Sequence, residues 1–413
     1  MDSPPFVAMF PASMSVFMFI LLGIPVLSLI WFAWAMRSSA MRNAGRRARV
    51  AFTIATAGLL TGFLWLLLYR SDHLSWEPPP WVQAAVLLWG LLFLPLLAFP
   101  SLLGGALWQT ITRTRRLLAS RRGAENVAPV AAETAARPDR RRFLATTAVA
   151  LPVIATYGTT AISIPQTRHF RVRRLDVPLP GLPPDLDGLT IAHVSDVHVG
   201  KFTQGRILTD LAEATNQLKA DCIALTGDLI DHALSDLPEA LDMVRRLDPR
   251  HGLFLIEGNH DLFEGREAFA RDVEEAGFPL LRNATAQLTL RGHPVDVLGI
   301  RWARSEKSMA QDISATAALR RPDAFPLLLA HHPHAFDVAA RAGIPLTLGG
   351  HTHGGQIMLN PELGVGPLMY RYWSGLYRKP TGQAAVISNG AGNWFPLRTA
   401  APAEILHLTL RRV

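Results

Sequence analysis

Hydrophobic and polar positions divide this chain into two regimes. Up to Ile164 the apolar residues run on almost without interruption: Ser13 to Met36, Val50 to Tyr69 and Trp81 to Trp108 carry almost no charge. About 20 apolar residues in succession is what a helix needs to cross a hydrocarbon core, so three membrane spans are predicted. Long buried helices of a soluble protein are the competing explanation, but three such runs in a row exceed what a globular core uses. From about Arg171 onward the apolar runs shrink to strand length and alternate with amphipathic stretches.

The arginines orient the spans. Arg37, Arg42, Arg46, Arg47 and Arg49 follow the first, and Arg113, Arg115, Arg116, Arg121 and Arg122 follow the third, whereas Ser71 to Pro80 holds Asp72 and Glu77 but no Lys or Arg. By the positive-inside rule the arginine-rich segments are cytoplasmic, which puts the N-terminus outside. Residues 1–122 are therefore read as three transmembrane helices. Residues 123–142 read as a Pro- and Ala-rich linker without apolar periodicity. It ends in Arg140-Arg141-Arg142, and Phe143-Leu144 open a further apolar segment over 143–165. This junction resembles a twin-arginine signal, which is read by an export machinery; it equally fits the cytoplasmic flank of a fourth span. Either way, the chain beyond Ile164 is expected outside the cytoplasm.

The remainder, 170–413, reads as an α/β domain. Strands are predicted at Leu189 to Val194, Cys222 to Leu225, Leu253 to Ile256, Val295 to Ile300, Leu327 to Leu329, Leu346 to Leu348, Ala384 to Ile387 and Glu404 to Leu410. Between the early ones, Ile207, Leu211, Ala214 and Leu218, and then Leu237, Leu241, Val244 and Leu247, keep the helical period. A β-α-β-α-β opening implies right-handed crossovers and a parallel sheet; the shorter later gaps suit antiparallel pairing in a second, mixed sheet.

Polar motifs stand just after these strands: Asp196 and His198, then Asp228, then Asn259 and His260, then His331, then His351 and His353. Ligands of α/β proteins collect beyond the carboxyl ends of strands. Any one of these residues alone reads more simply as a cap or a satisfied core histidine, but five strand ends supplying carboxylate, amide and imidazole to one place read as a metal site. Donors of O and N without thiolate suit Mn, Fe or Zn. Two such ions can share a carboxylate, clamp a phosphoryl oxygen and acidify a water.

Composition narrows the picture further. The net charge of +8 is explained largely by the arginine-rich segments, so nucleic acid is not expected as a partner. The single cysteine, Cys222, lies in an apolar run and reads as a small buried hydrophobe. Ionisable residues are scarce in the three spans, which argues against a transport path.

Taken in order, Asp196-Val197-His198, Gly227-Asp228, Gly258-Asn259-His260-Asp261, His331-His332-Pro333 and Gly350-His351-Thr352-His353-Gly354-Gly355 resemble the calcineurin-like metallophosphoesterases. Gln356, the segment Arg371 to Tyr377, and the tail with Gly390, Gly392 and Pro396 to Arg398 are similar to the bacterial, membrane-linked YkuE/YaeI-like branch. The resemblance covers 170–413 and leaves the leading spans uncovered. It implies a two-sheet β sandwich flanked by helices, with two divalent cations. It assigns Asp196, His198 and His353 to one ion, Asn259, His331 and His351 to the other, and Asp228 to both. His332 competes with His331, and the family's H-x-P spacing favours His331. His260 is implied to face substrate phosphate rather than metal, oriented by Asp231 or, less favoured, by its neighbour Asp261.

The activity so implied is hydrolysis of a phosphodiester or pyrophosphate at a bacterial inner membrane, with a multi-pass anchor and the catalytic domain outside. Arg371 and Arg398 are candidates for gripping substrate phosphate, and the aromatic residues from Tyr370 to Tyr377 for a lipid or sugar; solvated surface charge and core aromatic are the plainer readings. A phosphorylated or lipid-linked substrate is expected on analogy alone. The alternative is a membrane sensor or scaffold using the domain as a phosphate-binding module.

Overall fold

The computed structural model describes residues 13–71, 73–121, 140–303 and 305–413. The chain folds as two compact units, Met1–Ala161 and Ile162–Val413.

The first unit is helical. Its helices run over Ser13–Arg37, Ser39–Arg42, Arg46–Arg70, Pro80–Leu88 and Phe99–Arg121, and the helix Arg140–Gln166 begins in it. A wider helical turn, Trp89–Ala98, contains Pro95 and joins the fourth to the fifth; a proline has no N–H to give to the usual ladder. Among the described residues, three stretches are long and apolar enough to cross a membrane: Arg46–Tyr69, Pro80–Leu118 and Phe143–Gln166. The predicted first span lies in the helix Ser13–Arg37, whose sequence holds no charged residue before Arg37. Two indole N–H groups of this apolar bundle find serines: Trp89 Nε1 donates to Ser28 Oγ at 2.8 Å and Trp31 Nε1 to Ser101 Oγ at 3.2 Å. The expected linker lies outside the described residues up to Asp139, and the arginine triplet opens the helix Arg140–Gln166.

The second unit contains thirteen strands among the described residues: β1 Phe170–Leu179, β2 Thr190–Val194, β3 Cys222–Thr226, β4 Gly252–Ile256, β5 Ala284–Leu290, β6 His293–Gly299, β7 Phe325–Leu329, β8 Leu346–Gly349, β9 Met358–Asn360, β10 Leu363–Gly364, β11 Gly375–Arg378, β12 Ala384–Ile387 and β13 Ala403–Arg412. They form a sheet ordered β1-β13-β2-β3-β4, a sheet ordered β11-β12-β8-β7-β6-β5, and the small pair β9-β10. The two large sheets pack face to face. Ile191, Ala224 and Leu408 from one meet Val297, Leu329, Leu348 and Val386 from the other in a single buried cluster.

Helices cover the outer faces. Arg206–Gln217, Leu237–Arg245 and Arg266–Glu275 pack on the first sheet, and Glu306–Ala317 and Ala335–Arg341 on the second. The result is a two-sheet sandwich flanked by helices, as the resemblance implies. On the helix Arg206–Gln217 the fully buried stripe is Leu208, Leu211, Ala212 and Thr215. It is rotated slightly from the predicted one, whose Ile207, Ala214 and Leu218 are only partly buried.

β2, β3 and β4 are mutually parallel, as expected. The second sheet is mixed, but the expected antiparallel pairing holds only at its rims, β5 with β6 and β11 with β12. Its interior pairs β6-β7, β7-β8 and β8-β12 are parallel; the helices Glu306–Ala317 and Ala335–Arg341 provide the crossovers of the first two pairs. Five strands are absent from the predicted set: the short pair β9 and β10, and β1, β5 and β11, the last three all edges of the large sheets. One face of each of these three is wetted, and residues such as Arg171, Arg173 and Gln287 dilute the apolar pattern.

Leu408 on β13 is fully buried between the sheets. Leu408→Ala is expected to lower stability by about 2–5 kcal/mol, read as a fall in the unfolding midpoint of the purified full chain.

Candidate metal centre

Five parallel strand ends deliver the cluster. Asp196 and His198 follow β2, Asp228 follows β3, Asn259 and His260 follow β4, His331 follows β7, and His351 and His353 follow β8. The turns are tight. Asp196, His198, Asp228, His351 and His353 all take positive φ, between 49° and 74°, a conformation that costs a non-glycine residue energy and tends to collect at functional sites. Close approach also demands glycine at two places: a Cβ on Gly258 would stand 2.1 Å from Asp228 Oδ1, and one on Gly350 would stand 2.0 Å from Asp196 Oδ2.

Three groups of donors result: Asp196 with His198 and His353, Asp228 with His331 and His351, and His198 with Asp231 and His260; the first two are the predicted ligand groups. His198 Nε2 and His353 Nε2 face each other at 3.0 Å. His353 Nε2 lies 3.3 Å from Asp196 Oδ1, and Asp228 Oδ2 lies 3.6 Å from His198 Nε2 and 3.1 Å from His331 Nε2. Asn259 Oδ1 is buried without a hydrogen-bond partner. Imidazole nitrogens that face one another and buried carboxylates, with an amide oxygen left unpartnered, are the arrangement a cation satisfies. These residues therefore fit divalent metal with O and N donors.

Electrostatics agree with that fit. Burial, reinforced by the neighbouring His331 charge for His351 and by His198 and Arg398 for His353, holds both imidazoles well below their usual pKa and so neutral. His331 is the exception. Burial works against its charged form, but Asp228 and Asp196 overcome it and push the pKa up to about 9, while Asp228 is held well below the carboxylate range. A cation held by these two residues would take the place of that proton, so its binding would release it.

His331 rather than His332 enters the cluster. His331 is buried with Nδ1 2.8 Å from the Thr226 carbonyl. His332 turns aside, with Nδ1 accepting from the His334 amide at 3.2 Å. Asp231 and Asp261 separate as clearly. The Asp231 carboxylate lies 3.3 Å from His260 Nδ1 and 3.4 Å from His198 Nδ1, and its carbonyl is 2.6 Å from His260 Nδ1. Burial raises the His260 cost of charging, yet these contacts with Asp231 leave its pKa raised overall. Asp261 instead ties loops together, accepting from the amides of Ile230 and Gly258 at 3.0 and 2.8 Å.

The two arginines part company. Arg371 is largely exposed and pairs with Asp337 at 3.4 Å. Arg398, expected to grip substrate, is fully buried. It lies behind His353, with Nη2 3.2 Å from His353 Nδ1, and donates to the carbonyls of Asn389, Gly392 and Ala401 and to Asn393 Oδ1. With its donors so engaged it props the site from within.

Sequence reasoning missed Glu257 and Trp302. Buried Glu257 accepts from the Trp302 amide at 3.0 Å and from Arg282 Nε at 3.1 Å, and Arg266 Nη2 donates to the Trp302 carbonyl at 2.8 Å. The indole so held stands 5.1 Å from the His351 ring and 5.5 Å from His331. Tyr370 lies against His351, and Phe263 and Trp394 against His260. Glu257 could have been suspected from its place directly before Gly258-Asn259-His260; nothing local marks Trp302.

Residues 189–355 match the family model for calcineurin-like phosphoesterases. Over 226 residues the chain is 30% identical to an uncharacterized metallophosphoesterase of Helicobacter pylori, covering 54% of this chain and 60% of that protein. It is 29% identical over 274 residues to a transmembrane protein with metallophosphoesterase domain of Danio rerio, covering 63% and 61%. It is 30% identical over 240 residues to the uncharacterized metallophosphoesterase YkuE of Bacillus subtilis, covering 56% and 82%. The chain belongs to the calcineurin-like metallophosphoesterases. It spans about 60% of the length of the Helicobacter and Danio relatives.

Asp228→Asn removes the negative charge of the one carboxylate that touches both predicted ligand groups. Purified Asp228→Asn protein is expected to lose bound divalent metal by elemental analysis, and an undiminished metal content would exclude the carboxylate as a shared ligand.

Proposed function

We propose that the domain is a metal-dependent phosphoester hydrolase with two ions. Asp196, His198 and His353 hold one, Asn259, His331 and His351 the other, and Asp228 is shared between them. The observation that carries this is the mutual approach of His198, His353, Asp228 and His331 within 3.0 to 3.6 Å. Divalent cations held there supply Lewis-acid polarisation of a phosphoryl oxygen and acidify a water.

The chain's own groups supply the rest. His260 stands beside the shared carboxylate, its amide donating to Asp228 Oδ1 at 2.8 Å and its ring fixed through Nδ1 by Asp231. That leaves Nε2 free to face the phosphate and to pass a proton to the leaving oxygen. Asp231 is a positioning residue, acting through His260 and His198. Trp302, Tyr370, Phe263 and Trp394 line the approach with aromatic surface, which favours a phosphodiester or pyrophosphate bearing apolar or ring substituents over a bare phosphate.

The three stretches long and apolar enough to cross a membrane favour an enzyme anchored in a bilayer and acting on a lipid or envelope-linked substrate. The arginine distribution favours a catalytic domain outside the cytoplasm, and Arg371, exposed beside Tyr370, is the residue placed to meet a second anionic group.

The full chain in detergent is expected to hydrolyse a generic phosphodiester in a manganese-dependent way, with activity abolished by chelation and restored by the metal. Absence of turnover on diester, monoester and pyrophosphate alike, with metal bound, would favour the binding-module alternative. His260→Ala is expected to keep its metal and lose roughly 10²–10⁴-fold in turnover, the range that general acid–base groups contribute; metal loss in that variant would make His260 a ligand instead.

A further inference from the structure

The segment that follows the His351–Gly355 turn has an unusual surface. Leu359 is 81% exposed, Leu363 56%, Leu368 84% and Met369 63%. They sit on β9, β10 and the short helix Val365–Met369, and Glu362 is the single charged residue between Gln356 and Tyr370. The segment is nonetheless well anchored at its base. Met358 is buried, the Val365 amide donates to the Ile357 carbonyl at 3.1 Å, and a Cβ on Gly355 would stand 2.3 Å from the Gly366 amide nitrogen. Four large apolar side chains held out into water by an ordered scaffold are a surface that needs a partner.

The base of the segment shows which partner. The Thr399 amide donates to the Gln356 carbonyl at 2.8 Å, and Thr399 Oγ1 donates to the Met358 carbonyl at 2.9 Å. The preceding residue, Arg398, donates its amide to Ser163 Oγ at 3.0 Å, and Asn393 Nδ2 donates to the Thr167 carbonyl at 2.8 Å. Ser163 is buried in the last turn of the apolar helix Phe143–Gln166. Two consecutive residues thus tie the end of a helix long enough to span a bilayer to the root of the exposed apolar segment. Trp394, on the same loop, is 42% exposed and lies against His260.

We propose that Ile357 to Met369 forms a membrane-docking tip, which inserts Leu359, Leu363, Leu368 and Met369 into the outer layer of the bilayer crossed by Phe143–Gln166 and so seats the metal centre at the lipid surface. The occupant is the bilayer itself. Its interface accepts apolar side chains to a shallow depth while backbone and charge stay at the headgroups. Arg371, two residues beyond Met369 and largely exposed, is placed to reach a headgroup phosphate with its stem along the apolar surface. Tyr370 connects tip to centre, its ring 5.8 Å from that of His351. A phosphoester at headgroup level would then meet the centre without leaving the membrane. The inference rests on the reading that Phe143–Gln166 crosses a membrane, and it does not depend on turnover.

The test uses the full chain reconstituted in nanodiscs of phosphatidylcholine and phosphatidylglycerol containing lipids spin-labelled on the acyl chain. Leu359→Cys and Leu368→Cys are labelled with an environment-sensitive fluorophore; the native Cys222 is buried, with its thiol pKa pushed up to about 12, so the added thiol takes the label. Asp323→Cys, exposed at the entry to β7 and so at the opposite end of the sheet from the centre, is the control. Blue-shifted emission and several-fold stronger quenching at 359 and 368 than at 323 is the expected result. Quenching at 359 and 368 no greater than at 323 would overturn the proposal. A blue shift without lipid quenching that grows with protein concentration would overturn it in favour of a second copy of the chain. Failure to enter nanodiscs at all would overturn the membrane reading as well, while hydrolysis in detergent would still stand.

Discussion

His331 reaches across from the second sheet to within 3.1 Å of the Asp228 carboxylate of the first, and the rest of the domain is arranged so that this approach holds. β3 and β7 lie in different sheets, and the separation of their ends is set by the side chains packed between them, Cys222, Ala224, Leu327 and Leu329 among them. A sandwich core therefore acts as the spacer for a polar site. Changing its thickness by a methylene or two is felt at the strand ends, because protein interiors are packed too densely to absorb the change locally. Around that contact the donors from β2, β4 and β8 fall into place through strand register and the close approach of Gly258 and Gly350.

How much of this was legible depends on where the signal lies in sequence. Four of the five strands that carry the site, β2, β3, β7 and β8, are interior, and β4, though an edge, keeps the apolar run Leu253 to Ile256; the donors stand directly after them, so Asp196, His198, Asp228, His331, His351 and His353 were all visible as punctuation. Edge strands β1, β5 and β11 were not, since a strand wetted on one face loses its pattern. The parallel interior of the second sheet was hidden for a different reason. The β7-β8 crossover is a helix of only 7 residues, Ala335–Arg341, too short to show a helical period, so the connection reads as the link of an antiparallel pair.

The site's supporting residues were the least legible. Arg398 looks like a substrate ligand in sequence, a lone arginine in a loop after Pro396, and only its full burial against His353 and four backbone or side-chain acceptors shows that it serves the interior. Trp302 is the converse: it sits far from every motif residue in sequence, and its importance comes from Glu257 and Arg266 fixing its backbone beside two imidazoles. Both cases turn on contacts of long sequence separation, which no local pattern encodes.

The left-handed backbone at Asp196, His198, Asp228, His351 and His353 carries a consequence for which amino acids such a centre can use. Among residues with a side chain, that conformation is most readily taken by Asn, Asp and His, whose short polar groups relieve its crowding. Those are also the oxygen and nitrogen donors of a borderline divalent ion. Glutamate, equally able to bind a cation, gains no such relief there. The alphabet of this centre is thus narrowed twice, by coordination chemistry and independently by the shape of the turns, and a designer who grafted the donors onto relaxed loops would be free of the second restriction but would also lose the tight turns that aim them.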